Sequence, residues 1–392
     1  MRISWKKSGL PDGELRKARP RVNRATLRAA LLAAALLLVA AAFTCGLSGL
    51  FGGESGMQEI TVLSGGKLNC GDDFTLFYAL GAGEASAAEE RRALQTLYTQ
   101  AAADAYRLFS AGAECGDCGN LTDINGHVNE TLQVEPALYE ALALLEESGV
   151  RYHYLAPVYG TYFSLFQCGQ DSEAVEYDPY VNAGVRAFCR EAAAFACASD
   201  EISLELLGNN RVCLHVSDAY LRFAEENGIS SFIHLFWLEN AFIADYIAEV
   251  LLENGYTRAT LISRDGFARH LDDSPETEIR YALFHRDGAV VSPMEKLRFT
   301  EAMSMVYLHD YPLGAGDRGS YYVREDGTIC SPYIDPADGL CKCALPEIAA
   351  VSTELSCAEL ALRLAPVYIA GTFDAAALQS VARDGVELWY QP

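Results

Sequence analysis

The spacing of apolar and polar residues predicts amphipathic helices along much of the chain. Residues 88–110 place apolar side chains three and four positions apart, as one face of a helix does. Residues 135–148 repeat this spacing, with Pro136 in the first turn and Gly149 after the last, and residues 238–254 form a third such segment. Further helices are predicted at residues 178–199, 217–227 and 374–381, and another helix is predicted to begin at about residue 356. The hydrophobic content of 51% supplies ample material for the core that these faces require.

Short runs of β-branched and aromatic residues predict strands between the helices. They lie at residues 74–80, 211–215, 229–237, 257–263, 301–307 and 386–390. Two hairpins are also predicted. One spans residues 278–291, and the other spans residues 320–330, where Asp326 and Gly327 should both take the positive φ of a tight turn. Residues 310–320 are predicted to be a connecting loop, with a cover over a site as the alternative.

Residues 320–371 combine four elements in an informative order. The hairpin is followed by a rigid turn, residues 333–339, in which Pro336 fixes one φ and Gly339 relaxes another. A strand at residues 347–354 and then a helix complete the stretch. This order resembles the C-terminal part of the ApbE family, the FAD:protein FMN transferases. In that family a His-Ile-Ile-Asp-Pro-x-Thr-Gly turn precedes a strand and a helix with an Ala-Asp-x-x-x-Thr pair of metal ligands.

The resemblance covers residues 70–390 and implies an α+β fold of the ApbE (T-fold) type, with antiparallel sheets and packed helices. Residues 240–245 match the family's Lys-Gly-Tyr-Ala-Val-Asp, and residues 263–265 match its Gly-Gly-Asp. Each match keeps the acidic residue but has other residues in place of the family's glycines. Glycine has no side chain and so lets a backbone approach a ligand closely. The resemblance therefore implies Asp245 and Asp265 as the catalytic acids.

The resemblance also implies a site for FAD. Tyr159 and Tyr162 lie in a stretch that matches the family's Phe-Asp-Pro-Thr-Val-Gly-Pro-Leu, and their rings could stack on an isoalloxazine. Aromatic residues this dense are more often simple core, and that alternative stays open. The implied FAD-binding residues are Tyr159, Tyr162, Asn240, Arg264, Tyr333, Asp335 and Arg363.

The metal-binding positions of the family are altered in this chain. Mg²⁺ neutralises charge in phosphoryl transfer and needs oxygen ligands, and the two helix positions correspond to Glu359 and Arg363. A carboxylate can hold the ion, whereas a guanidinium has no acceptor and repels it. Arg363 could replace the charge of the metal at the pyrophosphate, or simply pair with Glu359 on the helix surface. Because Pro332 also stands at the family's histidine position, the pattern predicts a degenerate member.

Charge is divided unevenly along the chain. Residues 1–28 carry nine Lys and Arg residues against two acids, a net charge of +7, and the remaining 21 basic and 51 acidic residues give −30. An acidic chain repels phosphate backbones, so nucleic-acid binding is disfavoured. Residues 29–51 contain no charge over 23 positions, which is long enough to cross a bilayer.

The basic residues before this segment predict its orientation, because positive flanks stay in the cytoplasm. The sequence thus predicts a single-pass membrane protein, with a cytoplasmic tail at 1–28 and an anchor at 29–51. A linker at 52–72 and an extracytoplasmic domain at 73–392 follow. A cleaved signal peptide, or lipid attachment at Cys45, is the alternative.

Eleven further cysteines follow Cys45. Disulfides are permissible outside the cytoplasm, and loop-stapling disulfides or buried thiols are favoured here. A zinc site built from Cys115, Cys118, Cys341 and Cys343 is disfavoured, because a C-x-C pair is a poor half-site. The sequence does not give the connectivity.

Three functions are compatible with these patterns. The favoured one is a membrane-anchored, extracytoplasmic ApbE-like protein that binds FAD, with weak or no transferase activity. The first alternative is an active Mg²⁺-dependent transferase that attaches FMN to Ser or Thr of exported flavoproteins. The second is a non-enzymatic extracytoplasmic interaction domain.

Overall fold

The computed structural model describes residues 55–63, 69–82, 85–113, 119–274, 278–314, 317, 319–383 and 385–391. All of them belong to one compact unit, Gly52–Pro392. The predicted tail and anchor, residues 1–51, lie outside the described residues, as do Cys115 and Cys118. No helix in the described ranges has both the length and the apolar character that crossing a membrane requires.

The strands of the described residues are short and mostly apolar. They are β1 Gly56–Ile60, β2 Phe74–Leu80, β3 Thr131–Gln133, β4 Ile202–Leu206, β5 Arg211–Val216, β6 Ala259–Ser263, β7 Phe267–His270, β8 Ile279–Asp287, β9 Val290–Phe299, β10 Met303–His309, β11 Tyr322–Val323, β12 Ile329–Cys330, β13 Ile334–Asp335, β14 Leu340–Cys341, β15 Glu347–Ser352 and β16 Val386–Tyr390. One antiparallel sheet has the order β1-β2-β6-β7-β10-β15-β16. A smaller sheet has the order β3-β5-β4, and β8–β9, β11–β12 and β13–β14 form hairpins. The α+β class with antiparallel sheets is confirmed.

The helices begin and end at caps that the sequence supplies. They are α1 Ala87–Phe109, α2 Leu121–Gly126, α3 Pro136–Ser148, α4 Ala156–Phe166, α5 Asp171–Ala174, α6 Ala183–Cys197, α7 Asp218–Asn227, α8 Glu239–Glu253, α9 Cys357–Tyr368 and α10 Ala375–Val381. Ser86 and Ser356 form capping boxes at the starts of α1 and α9, while Gly149 and Gly228 end α3 and α7 in the left-handed conformation. The helices predicted from periodicity are confirmed with end shifts of one or two residues, except the helix predicted at 178–199, which begins only at Ala183 because Asn182 caps it.

Strand β10 shows how the core is divided. All of its residues are buried, and neighbouring side chains point to opposite faces of the sheet. Val306 and Leu308 join the core formed with the helices, where α8 packs against α1, α9, β6 and β7. Met305 and Tyr307 join a second apolar cluster that includes Leu283 of the β8–β9 hairpin. The central sheet is therefore covered on both faces at β10, which explains why the strand is mostly apolar, with Ser304 and His309 as its polar residues.

Three local predictions differ from the structure. The segment predicted as a linker contains β1, which pairs with β2 at the sheet edge. In the 320–330 hairpin only Gly327 has positive φ, at 88°, because the Asp326 side chain closes the turn by accepting from Thr328 N at 2.8 Å. The third difference concerns residues 229–237.

Residues 229–237 do not form the predicted strand. The side chain of Asn125 takes the place of a partner strand, because its oxygen accepts from the N–H groups of Phe232 and Ile233 at 2.7 and 2.9 Å. Its amide nitrogen donates to the carbonyl of Ile233 at 2.9 Å. A buried amide that satisfies three backbone groups removes the need for a β-ladder, so the segment remains a loop that ends in a short 3-10 helix at Phe236–Leu238.

Candidate functional site

A cavity of about 600 Å³ opens beside the start of α8. Eight segments line it: Asp73 before β2, the part of α4 from Ala156 to Phe163, the loop that ends at Trp237, the start of α8, the β6–β7 turn, His309 at the end of β10, residues 317 and 319–321, and residues 332–333. These segments come from distant parts of the chain. The volume is within the range of pockets that hold cofactor-sized or drug-sized ligands.

Aromatic side chains form one wall of the cavity. The rings of Tyr159 and Phe236 are stacked, with centroids 4.3 Å apart and planes 15° apart, and Trp237 meets Tyr333 edge to face at 5.4 Å. Phe236 has a φ of 51°, in the left-handed region that costs a non-glycine residue energy. Its N–H donates to His234 Nδ1 at 2.8 Å, which helps to hold this conformation. The wall is therefore rigid, and of its four rings only Phe236 is partly exposed, whereas Tyr159, Trp237 and Tyr333 are buried.

Three buried polar atoms of this wall have no hydrogen-bond partner among the described residues. They are Tyr159 Oη, Trp237 Nε1 and His309 Nε2. Leaving a buried polar group unpaired costs about 1–3 kcal/mol, so such groups call for an explanation. Burial raises the pKa of the Tyr159 hydroxyl, which Trp237 nevertheless lowers as its hydrogen-bond partner, so His309 Nε2 is the atom of the three that still lacks a partner among the described residues.

His309 is held as a neutral imidazole. Its Nδ1 lies 2.6 Å from the carbonyl oxygen of Tyr311, so Nδ1 carries the proton and donates it to that carbonyl. Tyr321 Oη donates to the His309 carbonyl at 2.8 Å and stacks its ring near the imidazole. Burial lowers the pKa of His309. The lone pair of Nε2 is therefore an acceptor in the cavity wall.

The opposite part of the cavity is acidic. Asp265 accepts from Ser263 Oγ at 2.6 Å and from Asn240 Nδ2 at 3.0 Å. Burial raises the pKa of Asp265 to about 6, while these two hydrogen bonds lower it and the charge of Asp73 raises it further. Burial also raises the pKa of Glu239 to about 8, with smaller contributions from Asp73 and Asp265. Both side chains keep partial contact with solvent through the open cavity.

Comparison with known proteins bears on the fold. No family model matches the chain, and no curated protein matches it. The ApbE protein of Thermotoga maritima is similar in structure, with a TM-score of 0.56 at 14% identity, over 85% of this chain and 93% of that one. The flavin transferase ApbE of Vibrio cholerae has a TM-score of 0.54 at 14% identity, over 86% and 97%. The fold is that of ApbE.

The ApbE-like fold brings five of the ten predicted site residues into the cavity. They are Tyr159, Asn240, Arg264, Asp265 and Tyr333. Arg264 is exposed and is the only Lys or Arg among the described residues of the lining. These positions span α4 to the segment before β13, so only the folded chain makes them neighbours. Their roles toward FAD and in catalysis stay predictions.

The other predicted acid of the pair, Asp245, has structural partners outside the cavity lining. Its carboxylate accepts from the N–H groups of Cys357 and Ala358 at 2.9 and 2.8 Å, at the start of α9. Arg269 donates to the same carboxylate at 3.1 Å and to Ser304 at 2.9 Å. Asp245 thus joins α8, α9 and the central sheet.

The remaining predicted residues also lie outside the cavity lining. Tyr162 Oη accepts from Cys341 N at 2.9 Å, and Asp335 pairs with Lys342 at 2.8 Å. Glu359 reaches back to Ser356 N at 2.8 Å in the capping box of α9, and Arg363 is exposed on that helix.

The structure does not offer Mg²⁺ a cluster of acidic or histidine ligands. Within the described ranges, no group of three or more His, Cys, Asp or Glu residues is placed to hold a metal ion. The carboxylate of Glu359 is engaged by the backbone that it caps. The metal that the resemblance implies therefore does not fit the residues at the predicted position.

Sequence reasoning missed Glu239, His309 and Trp237. Glu239 directly precedes a matched position, so its place beside the site had a signal in the sequence. His309 ends a strand of the central sheet, and no local spacing distinguished it from the other histidines. Trp237 reaches the cavity only because its segment is a loop rather than a strand.

Gly266, next to Asp265, provides a test of how tightly the site is packed. A Cβ at Gly266 would lie 2.0 Å from the carbonyl oxygen of Tyr307, and its φ is +101°. We expect Gly266→Ala to lower the free energy of unfolding by about 3 kcal/mol or more. The control is Gly327→Ala, whose φ of +88° is similar but whose Cβ meets nothing within 4 Å. It should cost about 1–2 kcal/mol, and equal losses in urea titrations would contradict the packing argument.

Proposed function

We propose that the chain binds FAD in this cavity and is an ApbE-like flavin-binding protein with weak or no transferase activity. The observation that carries the proposal is the convergence of Tyr159, Asn240, Arg264, Asp265 and Tyr333 in one aromatic-walled cavity of an ApbE-like fold. The two structural relatives named above include a flavin transferase.

The chemistry of the wall fits a flavin. An isoalloxazine is a flat ring with carbonyl oxygens and an N–H along one edge. Phe236, which is partly exposed and backed by the stacked ring of Tyr159, is the ring that can face it. His309 Nε2, which has no partner among the described residues, supplies an acceptor for its polar edge.

The charges around the cavity set the strength of binding. Arg264 is the cation that this lining offers to a pyrophosphate, through the paired N–H donors of its guanidinium. Asp73, Asp265 and Glu239 oppose a negative ligand whenever they are ionised. Binding of moderate strength, with a dissociation constant of about 10 µM, is therefore expected.

We base the proposed loss of transferase activity on the residues that stand where the family has functional side chains. Pro332 lines the cavity at the position of the family's histidine and offers neither an acid nor a base. No metal cluster of acidic or histidine ligands is found in the described part. Membrane anchoring by residues 29–51 and an extracytoplasmic location are also proposed, on the charge asymmetry of the sequence alone.

A titration with FAD tests the binding proposal. We expect the purified chain to quench FAD fluorescence without added metal, and Arg264→Ala to weaken binding about tenfold. The matched control is Arg363→Ala, which removes an equally exposed arginine outside the lining. If Arg363 instead replaces the charge of the metal, Arg363→Ala will weaken FAD binding about tenfold and Arg264→Ala will leave it unchanged. If FAD does not bind at about 100 µM, the interaction-domain alternative gains and the flavin proposal fails.

An active transferase is the second candidate, and His309 is the observation that favours it. A neutral imidazole with a free Nε2 in the cavity wall could accept a proton from a Ser or Thr hydroxyl. Incubation with FAD, Mg²⁺ and an acceptor protein should give no covalent yellow product if the favoured proposal holds. A product that disappears in His309→Gln would establish the active enzyme instead.

A further inference from the structure

A cluster of thiols and polar groups lies beside α4, outside the cavity lining described above. It consists of Cys330, Cys341, Tyr162, Tyr180 and Arg324, and we call it the thiol cluster. Cys341 Sγ is 3.5 Å from Tyr180 Oη, and the same hydroxyl donates to the Cys341 carbonyl at 2.5 Å. The Cys341 N–H donates to Tyr162 Oη at 2.9 Å. Two hydroxyls therefore fix the backbone and the sulfur of one cysteine.

The second sulfur of the cluster faces a fixed cation. Arg324 Nη2 donates to Cys330 Sγ at 3.1 Å. The guanidinium is held by a two-pronged ion pair with the buried Asp178, with hydrogen bonds of 2.7 and 2.8 Å, and it lies 5.1 Å from the centre of the Tyr180 ring. The charges of both Cys330 and Cys341 raise the pKa of this guanidinium, so the cation favours a thiolate within the pair.

The two cysteines have different characters. Their side chains are hydrogen-bonded to each other; this bond is the main cause that lowers the pKa of Cys341 to about 7 and raises that of Cys330. Cys341 is partly exposed, whereas Cys330 is fully buried. Every other cysteine of the described residues has its pKa raised, with burial as the main cause. Cys341 is thus the accessible sulfur of the pair, and Cys330 lies buried behind it.

We propose that Cys341 and Cys330 form a thiol–disulfide exchange site, whose substrate is a disulfide of a small thiol or of another protein. The thiolate of Cys341 attacks one sulfur of that disulfide and forms a mixed disulfide, and the other sulfur leaves as a thiolate. Cys330 then loses its proton to solvent and attacks Cys341 Sγ, expelling the second thiolate. The chain loses two electrons to the external disulfide and, counting the proton already released by Cys341, two protons to solvent, and solvent returns two protons to the expelled thiolates.

The product would connect two hairpins. Cys330 ends β12 and Cys341 ends β14, so the bond would close residues 330–341, which include the cavity residues Pro332 and Tyr333. A cross-link of this kind restricts the separation of its two ends. The proposal stands on the thiol cluster and does not depend on FAD binding.

Alkylation of the reduced wild-type chain is the first test. We expect Cys341 to react with iodoacetamide at neutral pH about tenfold faster than Cys168, a partly exposed cysteine with a raised pKa. The rate at Cys341 should reach half its maximum near pH 7. Peptide mass spectrometry would locate each modified residue. Equal rates at Cys341 and Cys168 would overturn the proposal, and this experiment needs no variant that must fold.

Reaction with oxidised glutathione is the second test. The wild-type chain should acquire a Cys330–Cys341 bond, and Cys330→Ser should accumulate glutathione on Cys341. Cys341→Ser should form neither product, whereas Cys168→Ser should behave as the wild type. A bond from Cys341 to Cys343, or glutathione on Cys330 in Cys341→Ser, would show that the assigned roles are wrong.

Discussion

Replacing Asp245 by alanine should lower the free energy of unfolding by about 2–4 kcal/mol. Its carboxylate satisfies two N–H groups at the start of α9 and pairs with Arg269, and both side chains of the pair are mostly buried, at 15% and 18% exposure. Removing it leaves a guanidinium without its charge partner and two helix donors unsatisfied. Urea denaturation followed by circular dichroism measures the loss.

The control for Asp245 is an acid whose arginine partners lie at the surface. Glu278 pairs with Arg280 and Arg298, which are 63% and 64% exposed, so Glu278→Ala should cost at most about 0.5 kcal/mol. Asp245→Asn should lose less than Asp245→Ala, since its one amide oxygen can still accept from one of the two helix N–H groups. If Asp245→Ala kept full stability but abolished a flavin-dependent activity, the residue would be catalytic, as the sequence implied, rather than structural.

Replacing Glu239 by glutamine should remove much of the pH dependence of stability between about pH 5 and pH 8. Burial raises the pKa of Glu239 in the folded chain to about 8, far above its ordinary value of 4.5. The folded state therefore retains a proton that the unfolded state releases. Its stabilising contribution is complete below about pH 4.5 and is lost as the pH rises through 8.

The size of this effect is limited by the partial exposure of Glu239 in the open cavity. We expect Glu239→Gln to be more stable than the wild type by about 1–2 kcal/mol at pH 9 and no more stable at pH 5. Glu295→Gln, on the exposed face of β9, should follow the wild type at every pH. Parallel wild-type and Glu239→Gln curves of unfolding free energy against pH would refute the assignment.

FAD binding gives Glu239→Gln a second readout. A neutral amide removes a negative charge from a cavity that must accept a pyrophosphate, so affinity at pH 9 should rise about tenfold. Near pH 6, where the carboxyl is already mostly protonated, the affinity should stay close to that of the wild type. This difference between the two pH values separates a charge effect from a change of shape.

Local sequence patterns predicted most of the secondary structure because local contacts decide it. The capping box at Ser356 and the left-handed Gly149 act within one helical turn, and α9 and α3 begin and end there. The turn at 333–339 was also predicted, and Gly339 with a φ of +69° does close it. The strand expected at 229–237 failed because Asn125, more than 100 positions away, binds its backbone instead.

The candidate site could be predicted only in part. Asn240, Arg264 and Asp265 follow short motifs that keep their place in the ApbE-like fold, and all three reach the cavity. Asp245 ends one of the same motifs, residues 240–245, yet it lies outside the cavity lining. Its side chain is directed by Arg269 and Cys357, which are 24 and 112 positions away. A motif fixes where an acid stands on its helix, but not which partner the acid meets.

By itself, the sequence determined the helices, the hairpins, their order and the acidic character of the chain, because these depend on neighbouring residues or on composition. The tertiary structure alone decided which side chains share the cavity, which acids are desolvated there and which cysteines meet. Burial, pKa and reactivity depend on groups brought together from distant positions. Asp265 in the cavity and Asp245 at the start of α9 therefore differ in surroundings, although they read alike in the sequence.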